Sequence, residues 1–261
     1  MELKRRSDTI MFREAVFLQI NSDFMTKLSV NINKIATLRN ARGGDVPNLV
    51  QFAKDIQEFG AEGVTIHPRP DERHIRYQDA RDLKTEVYTE YNIEGNPVPK
   101  FVELVLNVKP TQVTLVPDKV DAITSSSGWD CIKHQSFLSE VITEFKNSGI
   151  RTSIFLDPDL KQLEAAKTTG TDRIELYTEA FAKGYALENY KAVKPYTDCA
   201  ERATECALGV NAGHDLSLDN IRFFKENVPK LLEVSIGHAL ISESLYFGIE
   251  NVINMYKNRL Q

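Results

Sequence analysis

The chain has 261 residues, 42% of them hydrophobic and 26% charged, with a net charge of −5. That profile belongs to a soluble globular protein with length for one large α/β domain or two small ones. An acidic balance excludes a global positive field for nucleic acid or an anionic membrane, and no stretch is apolar for long enough to span a bilayer.

The first 24 residues stand apart. Lys4, Arg5 and Arg6 imitate the start of a signal peptide, but Arg13 and Glu14 interrupt the apolar run that would have to follow. Residues 1–24 read as a mis-started or loose extension, and residues 25–261 as a single catalytic domain. From Leu28 onward, eight short runs rich in β-branched residues read as strands: Leu28–Ile32, Val64–His67, Tyr91–Glu94, Gln112–Val116, Thr152–Asp157, Arg173–Tyr177, Ala207–Asn211 and Glu233–Gly237. Most look nearly continuous in apolar character, as strands covered on both faces do.

Helical periodicity fills the intervals. Val50–Phe59 stops at Gly60, Phe101–Val108 stops before Pro110, and Ile132–Phe145 stops near Gly149. Leu218–Val228 follows Ser217 as N-cap and ends at Pro229, and Ala239–Asn258 reads as one long closing helix. The intervals from Pro117 to Gly149 and from Tyr177 to Leu208 are long enough for additional helices or lids. Eight strand-then-helix units predict a (β/α)₈ barrel with additional helices. A doubly wound sheet is the alternative, but no G-x-G-x-x-G follows the first strand. Cys131, Cys199 and Cys206 lack the paired spacing of a zinc site and read as reduced, helix-borne hydrophobes, pointing to a cytoplasmic protein.

In such barrels the chemistry sits at the carboxyl ends of the strands. Those ends carry Asn31 and Asn33, His67, Glu94, Asp118, Asp157, Glu175 with Thr178, Asn211 with His214, and Gly237 with His238. The strand at Val64 is stopped by Pro68 and Pro70, which lack the N–H a ladder needs, and the loop after it presents Arg69, Arg73 and His74. The polar stretch from Asn31 to Gly44 adds Lys34, Arg39 and Arg42 to the same mouth, so two anionic groups could be held. Gly237-His238 opens the closing helix, whose free N–H groups suit a phosphate.

The blocks VNINKIATLRNARG from Val30, GVTIHPRPDERHI from Gly63, NIE from Asn92, LVP from Leu115, VNAGH from Val210 and IGHA from Ile236 together resemble the pyridoxine 5'-phosphate synthase family. The resemblance implies a homo-octamer of (β/α)₈ barrels without metal or organic cofactor. It implies that 3-amino-2-oxopropyl phosphate condenses with 1-deoxy-D-xylulose 5-phosphate to give pyridoxine 5'-phosphate, phosphate and water. By position, His67 is an acid/base residue, Glu94 the general base and His214 the proton donor, with Glu175 as a further central carboxylate. Asn31, Arg42, Asp215, Gly237 and His238 would hold the amino-oxopropyl phosphate, and Asn33, Lys34, Arg69, His74 and Thr124 the deoxyxylulose phosphate. Three positions depart from the commonest pattern: Asn33-Lys34 replaces Asp-His, and Asp215 replaces a glycine. A carboxylate at 215 would repel phosphate unless its backbone N–H makes the contact or the side chain points away.

Other readings of the same residues are a lyase or isomerase barrel acting on one phosphorylated sugar, a metal-dependent hydrolase, and a barrel kept only for binding. The hydrolase lacks the His-x-His strand ending such sites use.

Overall fold

The computed structural model describes residues 25–117 and 127–261; Asp118, Thr124 and the proposed extension lie outside them. Eight parallel strands close into a barrel in chain order, with the first pairing both the second and the eighth. They are β1 Lys27–Asn31, β2 Gly63–Ile66, β3 Glu90–Gly95, β4 Gln112–Leu115, β5 Arg151–Leu156, β6 Arg173–Tyr177, β7 Gly209–Gly213 and β8 Leu231–Ile236. The (β/α)₈ prediction holds, and every predicted strand overlaps an observed one.

The strands are not continuously apolar. Parity divides each of them: Leu28, Val30, Val64, Ile66, Ile93, Val113, Leu115, Ile154, Leu156, Ile174, Leu176, Val234 and Ile236 are buried against the helices. The alternate residues Ser29, Thr65, Asn92, Thr114, Ser153, Glu175, Asn211, Glu233 and Ser235 are equally buried but polar, and line the barrel interior. Buried polar atoms favour hydrogen-bond partners, and Ser29, Thr65, Asn92 and Thr114 find them across strands, whereas Ser153 Oγ, Ser235 Oγ and Glu233 Oε2 have none among the described residues. Ser29 Oγ lies 2.8 Å from Thr65 Oγ1, Asn92 Nδ2 donates to Thr65 Oγ1, and Thr114 Oγ1 donates to Asn92 Oδ1 at 3.1 Å. At the amino end of the barrel Arg151 meets Glu90, and Arg173 donates to Asn211 Oδ1 at 3.2 Å while lying 3.6 Å from Glu233.

Around the barrel lie α1 Asn33–Asn40, α2 Leu49–Glu58, α3 Tyr77–Asp82, α4 Pro99–Val108, α5 Gln135–Asn147, α6 Leu160–Thr168, α7 Glu179–Ala186, α8 Lys194–Glu205, α9 Ile221–Asn227, α10 His238–Phe247 and α11 Ile249–Leu260. Asn48 caps α2 by accepting from Gln51 N, and Asp159 caps α6 through two backbone N–H groups. The long interval after β6 does hold extra structure, α7 and a 3₁₀ turn at Tyr190–Val193 ahead of α8.

Three helix expectations need correction. The closing helix is two, because Gly248 at φ 81°, ψ 144° leaves helical space between Phe247 and Ile249. The helix after β7 begins at Ile221 rather than Leu218, since Ser217 carbonyl accepts from Asn220 and Ile221 in a turn that precedes it. The helix expected from Ile132 starts at Gln135, after a turn. Of the cysteines, Cys199 is in α8, Cys206 ends it and Cys131 sits in that same turn rather than a helix; all three are buried and free. Among the described residues no helix is long and apolar enough to cross a membrane.

Glu233 yields a stability test. Burial raises its carboxyl from the ordinary 4.5 to about 7, because Arg173 at 3.6 Å is too far to hydrogen-bond and only partly offsets desolvation. Between these values the folded chain holds a proton that the unfolded chain has lost, so this group's contribution falls as pH rises from about 4.5 to about 7. Glu233→Gln should remove that slope: its urea midpoint is expected to fall less than the parent's between pH 5 and pH 8. Parallel curves for the two proteins would refute the assignment.

Candidate active site at the barrel mouth

The strand register assembles the mouth. Thr65 pairs with Asn92, so two residues further on His67 stands beside Glu94, and the His67 Nδ1 to Glu94 Oε2 distance is 3.9 Å. Asn31, at the end of β1, donates to Glu94 Oε2 at 3.5 Å, and its Oδ1 accepts from Asn33 N at 3.1 Å. Asn33 Oδ1 in turn accepts the His67 backbone N–H at 2.9 Å, tying the start of α1 to the end of β2. Just past the end of the adjacent strand β8, Gly237 comes so close to Asn31 that a Cβ there would lie 3.2 Å from the asparagine.

Burial sets the protonation of this cluster. It pushes His67 well below 6.5, assisted by the positive charge of Arg69, so His67 is a neutral imidazole at pH 7. His74, whose ring centroid is 6.4 Å from that of His67, is pushed down to about 4 by burial and then by Arg69, Lys34 and Arg73. The Ile75 N–H donates to His74 Nδ1, which fixes that nitrogen as an acceptor. Glu175 is raised to about 7 by burial, against the opposing effects of His214 and a side-chain hydrogen bond with Thr114. Neutral histidines beside a carboxyl poised near neutrality form a set that can pass protons in both directions.

His214 follows β7 at φ +82°, a left-handed conformation rare for a residue with a Cβ. Its Nδ1 lies 2.7 Å from Asp215 Oδ2, and the Tyr177 ring meets it edge-on at 5.3 Å. Asp215 is thus turned onto the histidine, the side-chain alternative left open by the sequence.

The remaining predicted residues spread out from this centre. Arg69 is buried beside His67 and Pro68, along a small cleft shared with Tyr77, Asn96 and Phe101. Lys34 is exposed on the first turn of α1, and His238 is exposed at the start of α10. Arg42 lies exposed in the turn after α1. Arg39 is not a mouth cation: 3% exposed, it makes a bidentate pair with Asp79 at 2.7 and 2.8 Å and reaches the His74 carbonyl. Arg73 is offset by Asp71 at 2.6 Å. Sequence reasoning missed the Arg39–Asp79 clip and the His214–Asp215 pair; spacing carries no signal for the first, and adjacency argues against the second. Among the described residues no three His, Cys, Asp or Glu side chains converge as a metal site.

A sequence profile of the family described as pyridoxal phosphate biosynthesis protein PdxJ matches residues 28–261. The chain belongs to the PdxJ family. PdxJ-family relatives named pyridoxine 5'-phosphate synthase share 70% identity over 237 residues in Flavobacterium johnsoniae and 59% in Cytophaga hutchinsonii, covering 91% of this chain and all of each relative. The PdxJ barrel also resembles solved structures of phosphoribosylanthranilate isomerase from Thermotoga maritima, with TM-score 0.58, 14% identity and coverage of 90% and 98% of the two chains. Thiamine phosphate pyrophosphorylase from Pyrococcus furiosus gives TM-score 0.59 at 10% identity, covering 90% and 95%. At such identities these structures speak to the fold alone.

Two substitutions test how the mouth is held. Arg39→Met should leave Asp79 buried without its cation and cost about 3–5 kcal/mol in urea unfolding; a loss below about 1 kcal/mol would mean the clip is dispensable. Gly213→Ala would bring a Cβ to 2.6 Å from the Ser235 carbonyl and 3.0 Å from Glu175 Oε1. It is expected to destabilise by about 1–3 kcal/mol, read in the same way.

Proposed function

We propose that this chain is a pyridoxine 5'-phosphate synthase, joining 3-amino-2-oxopropyl phosphate to 1-deoxy-D-xylulose 5-phosphate and releasing phosphate and water. The observation that carries the reading is the gathering of His67, Glu94, Glu175 and His214 at the mouth of a barrel that aligns end to end with relatives of that name. Joining an amine to a ketone, dehydrating, expelling phosphate and closing a ring need repeated proton transfers, each worth about 10²- to 10⁴-fold.

In this reading Glu94, oriented by Asn31, is the general base. His67 works from its neutral form, which can accept a proton at pH 7. His214 is the proton donor, and Glu175 supports it from below through its electrostatic contact. The amino-oxopropyl phosphate is held by Asn31, Arg42, the backbone of Asp215, Gly237 and His238. The N–H groups at the start of the ten-residue helix α10 favour its phosphate. Asn33, Lys34, Arg69, His74 and Thr124 hold the deoxyxylulose phosphate. Neutral His74 serves as a hydrogen-bonding group there, and Arg69 and Lys34 supply the charge.

The assembly we infer is a homo-octamer. It is supported by large apolar side chains exposed on two helices that pack together: Leu38 on α1, and Leu245, Tyr246 and Phe247 on α10. Sedimentation equilibrium should give a mass eight times that of the chain, and a monomer would remove this part of the reading.

The test of function is to mix the purified protein with both phosphorylated compounds and follow pyridoxine 5'-phosphate by absorbance and free phosphate by assay. Product is expected only with both present, and phosphate release from one alone would favour a lyase. Glu94→Gln should lower turnover by about 10²- to 10⁴-fold while the protein stays folded. Undiminished turnover in that variant would sink the base assignment.

A further inference from the structure

We infer that Asp215 is a positioning residue for His214: its carboxylate accepts a hydrogen bond from Nδ1–H of the imidazole and makes Nε2 the nitrogen that exchanges protons. The inference rests on the reading of His214 as proton donor.

Neighbouring residues in an extended strand point to opposite faces, so side chains at 214 and 215 would not ordinarily meet. They meet here because the backbone at His214 turns to φ +82°, which brings Asp215 Oδ2 to 2.7 Å from Nδ1. That turn is held from three sides. The Asp215 N–H donates to Thr178 Oγ1 at 3.1 Å, and the same hydroxyl donates to the Gly213 carbonyl. The Asp215 carbonyl accepts from Asn220 Nδ2 at 3.2 Å. The His214 N–H reaches the Ser235 carbonyl at 3.4 Å, linking the turn to β8. The Tyr177 ring, at 5.3 Å and 82° to the imidazole, restricts its rotation.

A strained residue persists only where its surroundings over-determine it, and strain of this kind collects where geometry has work to do. A carboxylate accepting from one ring nitrogen selects the tautomer and orients the other. In the neutral ring, Nδ1 carries the proton and Nε2 is the acceptor; in the imidazolium, Nδ1–H faces a negative partner while Nε2–H is the bond given up to substrate. Glu175 and Tyr177 from β6 and His67 from the end of β2 are ionisable groups that share the histidine's field with Asp215. Asp215 Oδ2 is within hydrogen-bond distance of Nδ1.

The experiment is ring-nitrogen NMR on the full chain labelled with ¹⁵N-histidine, the His214 signals being assigned by their loss in His214→Gln. In the parent protein the neutral His214 ring should be the Nδ1–H tautomer, and finding Nε2–H would overturn the inference without any variant. Asp215→Asn keeps the shape and removes the charge. It should shift the ring toward Nε2–H. The kcat should fall roughly tenfold with KM little changed. A His214 tautomer and a kcat unchanged in Asp215→Asn, with His214→Gln inactive, would overturn the positioning role alone. Full activity in His214→Gln would overturn the proton-donor reading beneath it.

Discussion

Everything in this molecule rests on a barrel whose inner wall is polar. A closed parallel sheet hides both faces from water, and the outer face meets that condition in the ordinary way, with branched apolar residues against helices. The inner face meets it by mutual hydrogen bonding: Ser29 to Thr65 to Asn92 to Thr114, and from Thr114 to Glu175. An unpartnered polar group inside would cost about 1–3 kcal/mol, so these residues constrain one another's rotamers. The carboxyls and imidazoles of the candidate site are the top layer of that lattice. Their geometry is inherited from strand register rather than from loops.

The same lattice explains the electrostatics. Burial is the first cause of the shifts at His67, His74, Glu175 and Glu233, moving histidines down and carboxyls up, always toward the neutral form. Near pH 7 His67 and His74 are therefore neutral, and Glu175 is divided between its protonated and ionised forms. Arg39 adds no mouth cation to this set: its charge is consumed by Asp79, and what it contributes is a fixed position for the segment that carries His74.

Much of this was legible in the chain. Pro68 and Pro70 end β2 at the residue that matters, and the Gly60 and Gly149 stops bound their helices, because backbone rules are local. The eight strands and their polar endings follow from the same kind of rule. The failures have physical causes as well. The strands read as nearly continuous in apolar character although Asn92 and Thr114 face the interior, since a one-dimensional pattern does not tell a barrel lumen from a helix-covered face. Gly248 was passed over inside an amphipathic run because tertiary packing, not propensity, uses its freedom to break the helix. Arg39 was counted among the mouth cations because a partner 40 residues away leaves no trace in spacing. The direction of the Asp215 side chain follows from the backbone angle at His214, which residue spacing does not encode.

The three cysteines lead elsewhere. Cys131 and Cys199 are buried, and burial, helped by nearby aspartates, pushes each thiol up to about 12, while Cys206 is buried at the end of α8. Thiolate, the reactive form, is therefore all but absent from the first two at neutral pH. The native chain is in effect a cysteine-silent background. A single cysteine introduced at an exposed position such as Thr37 on α1 would react ahead of them with a maleimide dye, giving a site-specific optical reporter without first stripping the natural thiols.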